Sequence, residues 1–451
     1  MTAAHRLSAR TDVGRRREHN EDTFRCDTAL GLYIVADGMG GHAAGEVASA
    51  MASQRVAAEV ERGRSMIDAL ARQDPGVRPD DVKLMLANAV RAANAEVWSA
   101  AQANSARRGM GTTLTAMLVV GRRCFLAHVG DSRAYLIRGA EVRRLTEDHS
   151  VVNELRRRGK LTQEALSKVA HKNAITRAVG VFENVEVDTF HILAAPGDRF
   201  VLCSDGLHRY LDTDDALRPL LEGVTEEAAT QRLIDYANEC GGADNVTAVV
   251  VTLPDEDTRQ RVVAELTRSY ATLSALPFFR HLEPREILVL QAAAKVRDVE
   301  PGLEVVREGE PGEAMFLIVQ GRCVVKKGEM EIARLGPGEH FGEMALVELA
   351  PRSATVVAED DTRLLEIARA DFFRVLRESS DTAVKMLWNI VSVLAARLRE
   401  TSSQLGEARE QLVADDLTAQ LFDEYPGVVG RDTMPAIPAI TGMPRGGTFP
   451  R

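Results

Sequence analysis

Apolar positions recur at four-residue steps at Ala48, Ala52, Val56 and Val60, and at helical steps at Val82, Leu86, Ala89, Ala93 and Val97. Each set falls on one face of a helix, so each predicts an amphipathic helix laid on a core. Around them run short apolar stretches: "GLYIVA", "LTAMLVV", "CFLAHVG", "AYLIRG", "DRFVLCS" and "NVTAVVVTL". These read as strands. Short turns join some of them, and in "CFLAHVGDSRAYLIRG" the two flanking strands are expected to pair antiparallel. Residues 6–253 are therefore expected to form an α+β domain with antiparallel sheets covered by helices.

The pattern changes after the acidic "PDEDTRQ". In "RVVAELTRSYATLSAL", Val262, Val263, Leu266, Tyr270 and Leu273 fall mostly on one face, so residues 254–275 read as a connecting helix packed on a domain. From about 277 to 370, short strands alternate with glycine turns, the spacing of a small β-barrel or jelly roll. A long helix follows, with Leu387, Val391, Leu394, Leu398, Leu405 and Leu412 along it. That stripe fits a helix packed on its own domain or a coiled-coil contact in a homodimer. The second domain is thus expected over 276–400, a helix extension over 401–415, and a disordered Pro/Gly-rich tail over 416–451.

A chain of 451 residues is long enough for two domains. Its net charge of −10 argues against non-specific nucleic-acid binding. The five cysteines are scattered, contain no C-x-x-C, and read as reduced core residues. No apolar run reaches the ~18 residues of a membrane span, and the N-terminus shows no signal-peptide pattern. The expectation is a cytoplasmic protein with neither nucleic acid nor membrane as partner.

Gly38, Gly40 and Ala43 fit the dinucleotide fingerprint G-x-G-x-x-G/A. That reading needs an acidic residue about twenty positions on, at a strand end. Glu59 and Glu61 stand there, but within the Ala48–Val60 helical stripe, so it fails. Acidic residues at strand ends offer another account: Glu21, Asp22, Asp37, Asp131, Asp205 and Asp244. Singly, such residues are turn formers. As a converging set they would repel one another unless a hard cation such as Mg²⁺ or Mn²⁺ lay among them.

"RRREHNED", "ADGMGGHAAGE", "GMGTTLTAML", "AHVGDSRAYLI", "LTEDHS", "AITRAVG", "DRFVLCSDGL" and "DNVTAVVV" occur in the order found in bacterial metal-dependent Ser/Thr phosphatases of the PPM (type 2C) family, which this half resembles. The resemblance implies a helix-flanked β-sandwich with two water-bridged Mn²⁺ or Mg²⁺ ions at one end. It implies that Asp37 bridges both ions, that Gly38 lends its carbonyl, and that Asp205 and Asp244 bind one of them. Glu21 and Asp22 would act through water, Arg17 would hold the phosphate, and Asp131 would bind a weaker third ion. Residues 150–173 stand where such proteins carry a substrate flap. Some members have a histidine directly after Asp-Gly as general acid; here that position is Met39, and His42, three residues later, is either the proton donor or a structural residue.

In the second half, "HFGEMALVELAPRSATVVA" resembles the phosphate cassette of cyclic nucleotide-binding domains, and the match spans about 276–395. It implies a jelly roll with flanking helices, Arg352 on the cyclic phosphate, Glu343 on the ribose 2′-hydroxyl, and Gly342 and Ala345 at the phosphate turn. Ser353 follows the arginine, where many cAMP binders have alanine and many cGMP binders threonine; its size favours cAMP. The expected function is metal-dependent dephosphorylation of phosphoserine and phosphothreonine in proteins, on the targets of a Ser/Thr kinase, regulated by a cyclic nucleotide. The alternatives are a jelly roll used only for docking or dimerisation, or a catalytically inactive second-messenger binder.

Overall fold

The computed structural model describes residues 5–40, 44–157 and 174–424. Two antiparallel sheets build the first half. One contains, in spatial order, strands Arg6–Asp12, Val246–Thr252, Arg199–Cys203, Arg133–Arg138 and Glu141–Arg144. The other contains Asp22–Asp27, Leu32–Met39, Leu114–Val120, Arg123–Val129 and Asp188–Leu193, with the short Gly111–Thr112 strand paired at the end of Leu32–Met39.

Strand alternation explains the layering. Tyr33, Val35, Met117 and Leu126 of one sheet meet Leu136, Phe200, Leu202 and Val249 of the other in the central core. On the outer face, Leu32, Ile34, Ala116 and Phe125 bury against the helices Ala44–Arg62 and Pro79–Ala103. The two apolar stripes expected from the sequence are that contact, and each of their residues is essentially inaccessible. The opposite outer face packs Val201, Ala248 and Val250 against the helix Glu226–Glu239. A helix-flanked antiparallel sandwich results, as expected.

One expectation is corrected. The strands of "CFLAHVGDSRAYLIRG" do not pair: Arg123–Val129 pairs with Leu114–Val120 and Asp188–Leu193, and Arg133–Arg138 with Arg199–Cys203 and Glu141–Arg144. The turn carries the chain from one sheet to the other. Gly130 permits the crossing with a φ of +108°, and a Cβ there would lie 2.6 Å from the Thr113 side chain. Asp131 is thereby set at the end of the sandwich.

The second half is a jelly roll of two four-stranded sheets. Lys295–Val299, Thr362–Ala368, Ala314–Gln320 and His340–Phe341 form one; Glu304–Val306, Thr355–Ala358, Cys323–Lys327 and Met330–Leu335 form the other. Phe316, Ile318, Val356 and Leu364 fill the space between them. The connecting helix runs Arg259–Ala275 and buries Val262, Leu266 and Leu273. A further helix, Pro284–Ala293, follows it.

Among the described residues, those up to Asn389, both β regions included, pack as one unit, and those from Ile390 on form a second. The reason the first does not divide at the connecting helix is specific: Leu288 of the helix Pro284–Ala293 is fully buried in the core of the sandwich. The last helix spans Ser380–Glu424, so it continues past residue 415, where the sequence reading ends it; 425–451 lie outside the described residues. Of the stripe expected along it, Leu387, Val391, Leu398, Leu405 and Leu412 are more than half exposed, and the Leu394 side chain lies outside the described residues. All five cysteines are free; Cys124, Cys203 and Cys323 are buried, but Cys240 is exposed and Cys26 only half-buried, which corrects their reading as uniformly core residues.

Candidate active site and nucleotide cassette

Antiparallel register places Asp22 directly opposite Asp37 on neighbouring strands. Like charges in that position destabilise a sheet unless a cation offsets them. The other sheet brings Asp205, which opens a single helical turn after Arg199–Cys203, and Asp244, just ahead of Val246–Thr252. Asp131 joins from the crossing turn.

The electrostatics follow from this convergence. Burial pushes the Asp37 carboxyl well above its ordinary range, and the charges of Asp22, Asp205, Asp131 and Asp244 push it further. Burial and the repulsion of Asp205 and Asp244 likewise raise Asp22, against hydrogen bonds from Thr247 and Ser204. Asp131 is raised to about 7 by burial and by Asp205. Burial raises Asp205 while Arg209 opposes it.

Two oxygens carry the test of whether this set fits dications. Asp22 Oδ2 accepts from Ser204 Oγ and Thr247 Oγ1, both at 2.7 Å, but its buried Oδ1 has no hydrogen-bond partner among the described residues. Glu21 Oε1 is buried and unpartnered in the same way. Orphaned carboxylate oxygens beside mutually repelling carboxylates are the donor set that hard cations take. Among the described residues no group of three or more His, Cys, Asp or Glu is gathered tightly enough to hold an ion by itself. Mg²⁺ commonly completes its shell with water and carbonyl oxygens around one or two carboxylates, so the set fits.

The remaining expected residues are accounted for individually. Gly38 donates its N–H to the Glu21 carbonyl at 3.1 Å, and a Cβ there would lie 2.2 Å from the Gly45 carbonyl, so only glycine fits. Arg17 is at the site, and its Nε and Nη2 reach the two Asp244 oxygens at 2.8 and 2.9 Å. His42 and residues 158–173 of the flap segment lie outside the described residues.

Several site residues escape a reading of motifs. Arg209 contacts Asp205 and lies 3.4 Å from Asp244, a second cation on the cluster. Asn245 accepts the Glu21 N–H at 2.9 Å and donates to the carbonyls of Val13 and His19, so it holds the loop bearing Arg17. Thr113 Oγ1 accepts the Asp37 N–H at 3.0 Å and bonds Ser132 Oγ at 2.7 Å. His208 Nε2 donates to the Asp131 carbonyl at 2.8 Å. The one signal in the sequence was nearness: Ser204 and Asn245 adjoin Asp205 and Asp244, and Arg209 and Thr247 stand within four residues of them.

In the jelly roll, Gly342 has a φ of +75° and leads into Met344–Val347, with Glu343 and Ala345 buried. Arg352 arrives from the facing loop and donates to the carbonyls of Gly342 at 3.3 Å and Ala314 at 2.8 Å. A Cβ on Gly342 would lie 2.4 Å from the guanidinium. Burial lowers the Arg352 pKa, and the nearby charge of Glu343 opposes that. Arg369 Nη1 bonds the Ala345 carbonyl at 2.8 Å, tying the cassette to the helix Arg369–Glu378. Ser353 is exposed. Gly342, Glu343, Ala345 and Arg352 thus lie together at this turn.

A sandwich with paired carboxylates at one end is the arrangement that the resemblance to metal-dependent phosphatases implies. Residues 13–239 match the family model described as protein phosphatase 2C, and the chain belongs to that family. Residues 296–379 match the model of the cyclic nucleotide-binding domain. The serine/threonine phosphatase stp of Listeria monocytogenes is 38% identical over 245 residues, 54% of this chain and 93% of that protein. Protein phosphatase PhpP of Streptococcus pneumoniae is 34% identical over 254 residues, 56% of this chain and 98% of that one. The crystal structure of the Mycobacterium tuberculosis serine/threonine phosphatase PstP/Ppp has 36% identity and a TM-score of 0.49, covering 56% of this chain and all of the other. Among the described residues no helix is long and apolar enough to cross a membrane.

Proposed function

We propose that the chain hydrolyses phosphoserine and phosphothreonine in proteins phosphorylated by a Ser/Thr kinase, using two or three Mn²⁺ or Mg²⁺ ions. The observation that carries this reading is the cross-strand pair Asp22 and Asp37, with an orphaned Asp22 oxygen, amid Asp131, Asp205 and Asp244. Asp37, the Gly38 carbonyl, Asp205 and Asp244 would hold the ions, with Glu21 and Asp22 acting through water and Asp131 holding the weakest one. Bound there, the ions supply an acidified water for attack on phosphorus and neutralise charge at the transferred group.

The chain's own residues do the rest. Arg17 is exposed enough to leave Asp244, and its planar fork suits a phosphoryl dianion once an ion takes that carboxylate. Ser204 and Thr247 orient Asp22, and Thr113 orients Asp37 through its backbone. His42 is the proposed proton donor to the leaving alkoxide.

The jelly roll is read as a sensor for a cyclic nucleotide, cAMP rather than cGMP. Arg352 would exchange its two carbonyl partners for the cyclic phosphate, a charge-assisted gain, and Glu343 would take the ribose hydroxyl. Calorimetric titration with cAMP and cGMP tests this. Binding that Arg352→Ala removes is the expected result; no binding of either nucleotide at millimolar concentration would reduce the jelly roll to a docking module.

The chain is further read as a homodimer through its last helix. Val391, Leu398, Leu405 and Leu412 recur at every seventh residue, all exposed, which is the a-position seam of a coiled coil and fits a second copy of the same helix.

A further inference from the structure

The helix Pro284–Ala293 carries two consecutive charged residues that face different parts of the molecule. Arg285 turns toward the phosphatase. Its Nη2 lies 3.2 Å from Glu147 Oε2, its Nη1 lies 3.5 Å from Asp188 Oδ2, and its guanidinium lies 5.5 Å from the centre of the Phe190 ring. Glu286 turns the other way. It is buried, accepts from Thr382 Oγ1, and lies 3.1 Å from Lys385 Nζ, both on the helix that leaves the jelly roll.

Both carboxylates near Arg285 lead to the catalytic end, Asp188 being shared with Arg177, whose Nη1 lies 2.9 Å from its Oδ1. Asp188 Oδ2 is 3.4 Å from His149 Nε2. His149 Nδ1 accepts the Gly130 N–H at 3.1 Å, which assigns the ring proton to Nε2 and aims it at Asp188. The His149 backbone N–H donates to the Gly130 carbonyl at 2.7 Å. Gly130 is the hinge of the crossing turn and precedes Asp131. Glu147 Oε1 accepts from Asn153 Nδ2 at 3.0 Å, which anchors the helix Val151–Arg157. A cavity of about 270 Å³, lined in part by Arg177, Asp188, Arg285, Glu286 and Thr382, lies beside this joint. The joint therefore has room to change its contacts.

We propose that Arg285 is a positioning residue for the phosphatase site, and that the Arg285–Glu286 pair is the joint through which the nucleotide domain sets the Gly130–Asp131 turn. This rests on the phosphatase reading of the carboxylate cluster and the sensor reading of the jelly roll. A guanidinium is needed rather than an ammonium, because only a fork spans two carboxylates while lying near an aromatic ring. A ligand that shifts the last helix pulls Glu286 through Thr382 and Lys385. Arg285, one residue away on the same rigid turn, then moves against Glu147 and Asp188. Such a device transmits only the difference in ligand affinity between its two arrangements.

The test uses the full chain as wild type, Arg285→Ala and Arg285→Lys. Hydrogen exchange is read over 128–133 and 147–157, together with the Mn²⁺ concentration that gives half-maximal hydrolysis of a phosphothreonine peptide. Arg285→Ala is expected to speed exchange in both segments by about tenfold and to raise the half-maximal Mn²⁺ by a similar factor, the usual size of such couplings. It is expected to abolish any response to cAMP while the nucleotide still binds. Arg285→Lys should fall between wild type and alanine, and it serves as the test variant if the alanine protein does not fold. Unchanged exchange over 128–133 in a folded Arg285 variant overturns the proposal. A wild-type chain that hydrolyses the peptide without responding to nucleotide overturns the sensor reading and the joint with it, while the exchange comparison still decides whether Arg285 positions the Gly130–Asp131 turn. A wild-type chain without hydrolysis overturns the phosphatase reading.

Discussion

Arg17 and Asp244 form a two-point ion pair, Nε to Oδ1 at 2.8 Å and Nη2 to Oδ2 at 2.9 Å, although they are 227 positions apart in the chain. The arginine proposed for the phosphate therefore rests on a carboxylate proposed for an ion. Were Asp244 to hold an ion, the Arg17 fork would be left free for a phosphoryl group. Arg17→Ala is expected to lower kcat/KM on a phosphopeptide by about 10²-fold, since charge-assisted contacts contribute roughly 1.5–3 kcal/mol. Steady-state kinetics at saturating Mn²⁺ check this, and an unchanged kcat/KM would remove Arg17 from the phosphate.

Arg138 and Asp198 supply a stability test away from the site. The pair is almost fully buried, with contacts of 2.9 and 2.7 Å, and Arg138 also donates to the Leu193 carbonyl. Asp198→Ala leaves a buried guanidinium without its counter-charge and is expected to cost about 3–5 kcal/mol. Urea unfolding measures it; a loss below about 1 kcal/mol would contradict the burial argument.

How much was legible in the sequence depended on whether the signal was local. The Ala48–Val60 and Val82–Val97 stripes were legible because helical periodicity is written in consecutive residues. Asp37, Asp131 and Asp205 stood out because each directly follows an apolar run. The crossing at Gly130 was not legible, since a short turn between two strands ordinarily closes a hairpin. Ser204 and Thr247 converge on Asp22 only through strand register, and Arg285 reaches Glu147 across 138 positions. Such partners are products of topology, which no local pattern encodes.

His191 makes acid stability testable. It is buried, stacks on Phe125 with centroids 5.3 Å apart, and its pKa is lowered to about 3 by burial, then by the charges of Lys83 and Arg123. The unfolded chain binds this proton from about pH 6.5 downward, whereas the folded chain does so only near 3. Stability is therefore lost as pH falls through that window, by up to about 1.4 kcal/mol per pH unit for this one group. His191→Phe should flatten the acid limb of the Tm–pH profile between 6.5 and 3; an unaltered limb would contradict the assignment.

The seam of the last helix predicts an oligomeric state. The wild-type chain should scatter light as two copies, and Leu405→Glu should return it to one, because a buried carboxylate at an a position is left unpaired. A monomeric wild type at tens of micromolar would contradict the dimer.

Phosphate release from a phosphothreonine peptide, with Mn²⁺ titrated against EDTA, tests the central claim most directly when wild type is compared with Asp37→Asn. The account predicts a rate that climbs with Mn²⁺, disappears in excess EDTA and returns when the ion is restored. It predicts a loss of at least about 10²-fold in Asp37→Asn, with the fold retained, because losing the carboxylate proposed to hold the ions would weaken the stabilisation of charge at phosphorus. Full turnover in EDTA, or an Asp37→Asn chain as active as wild type, would contradict it.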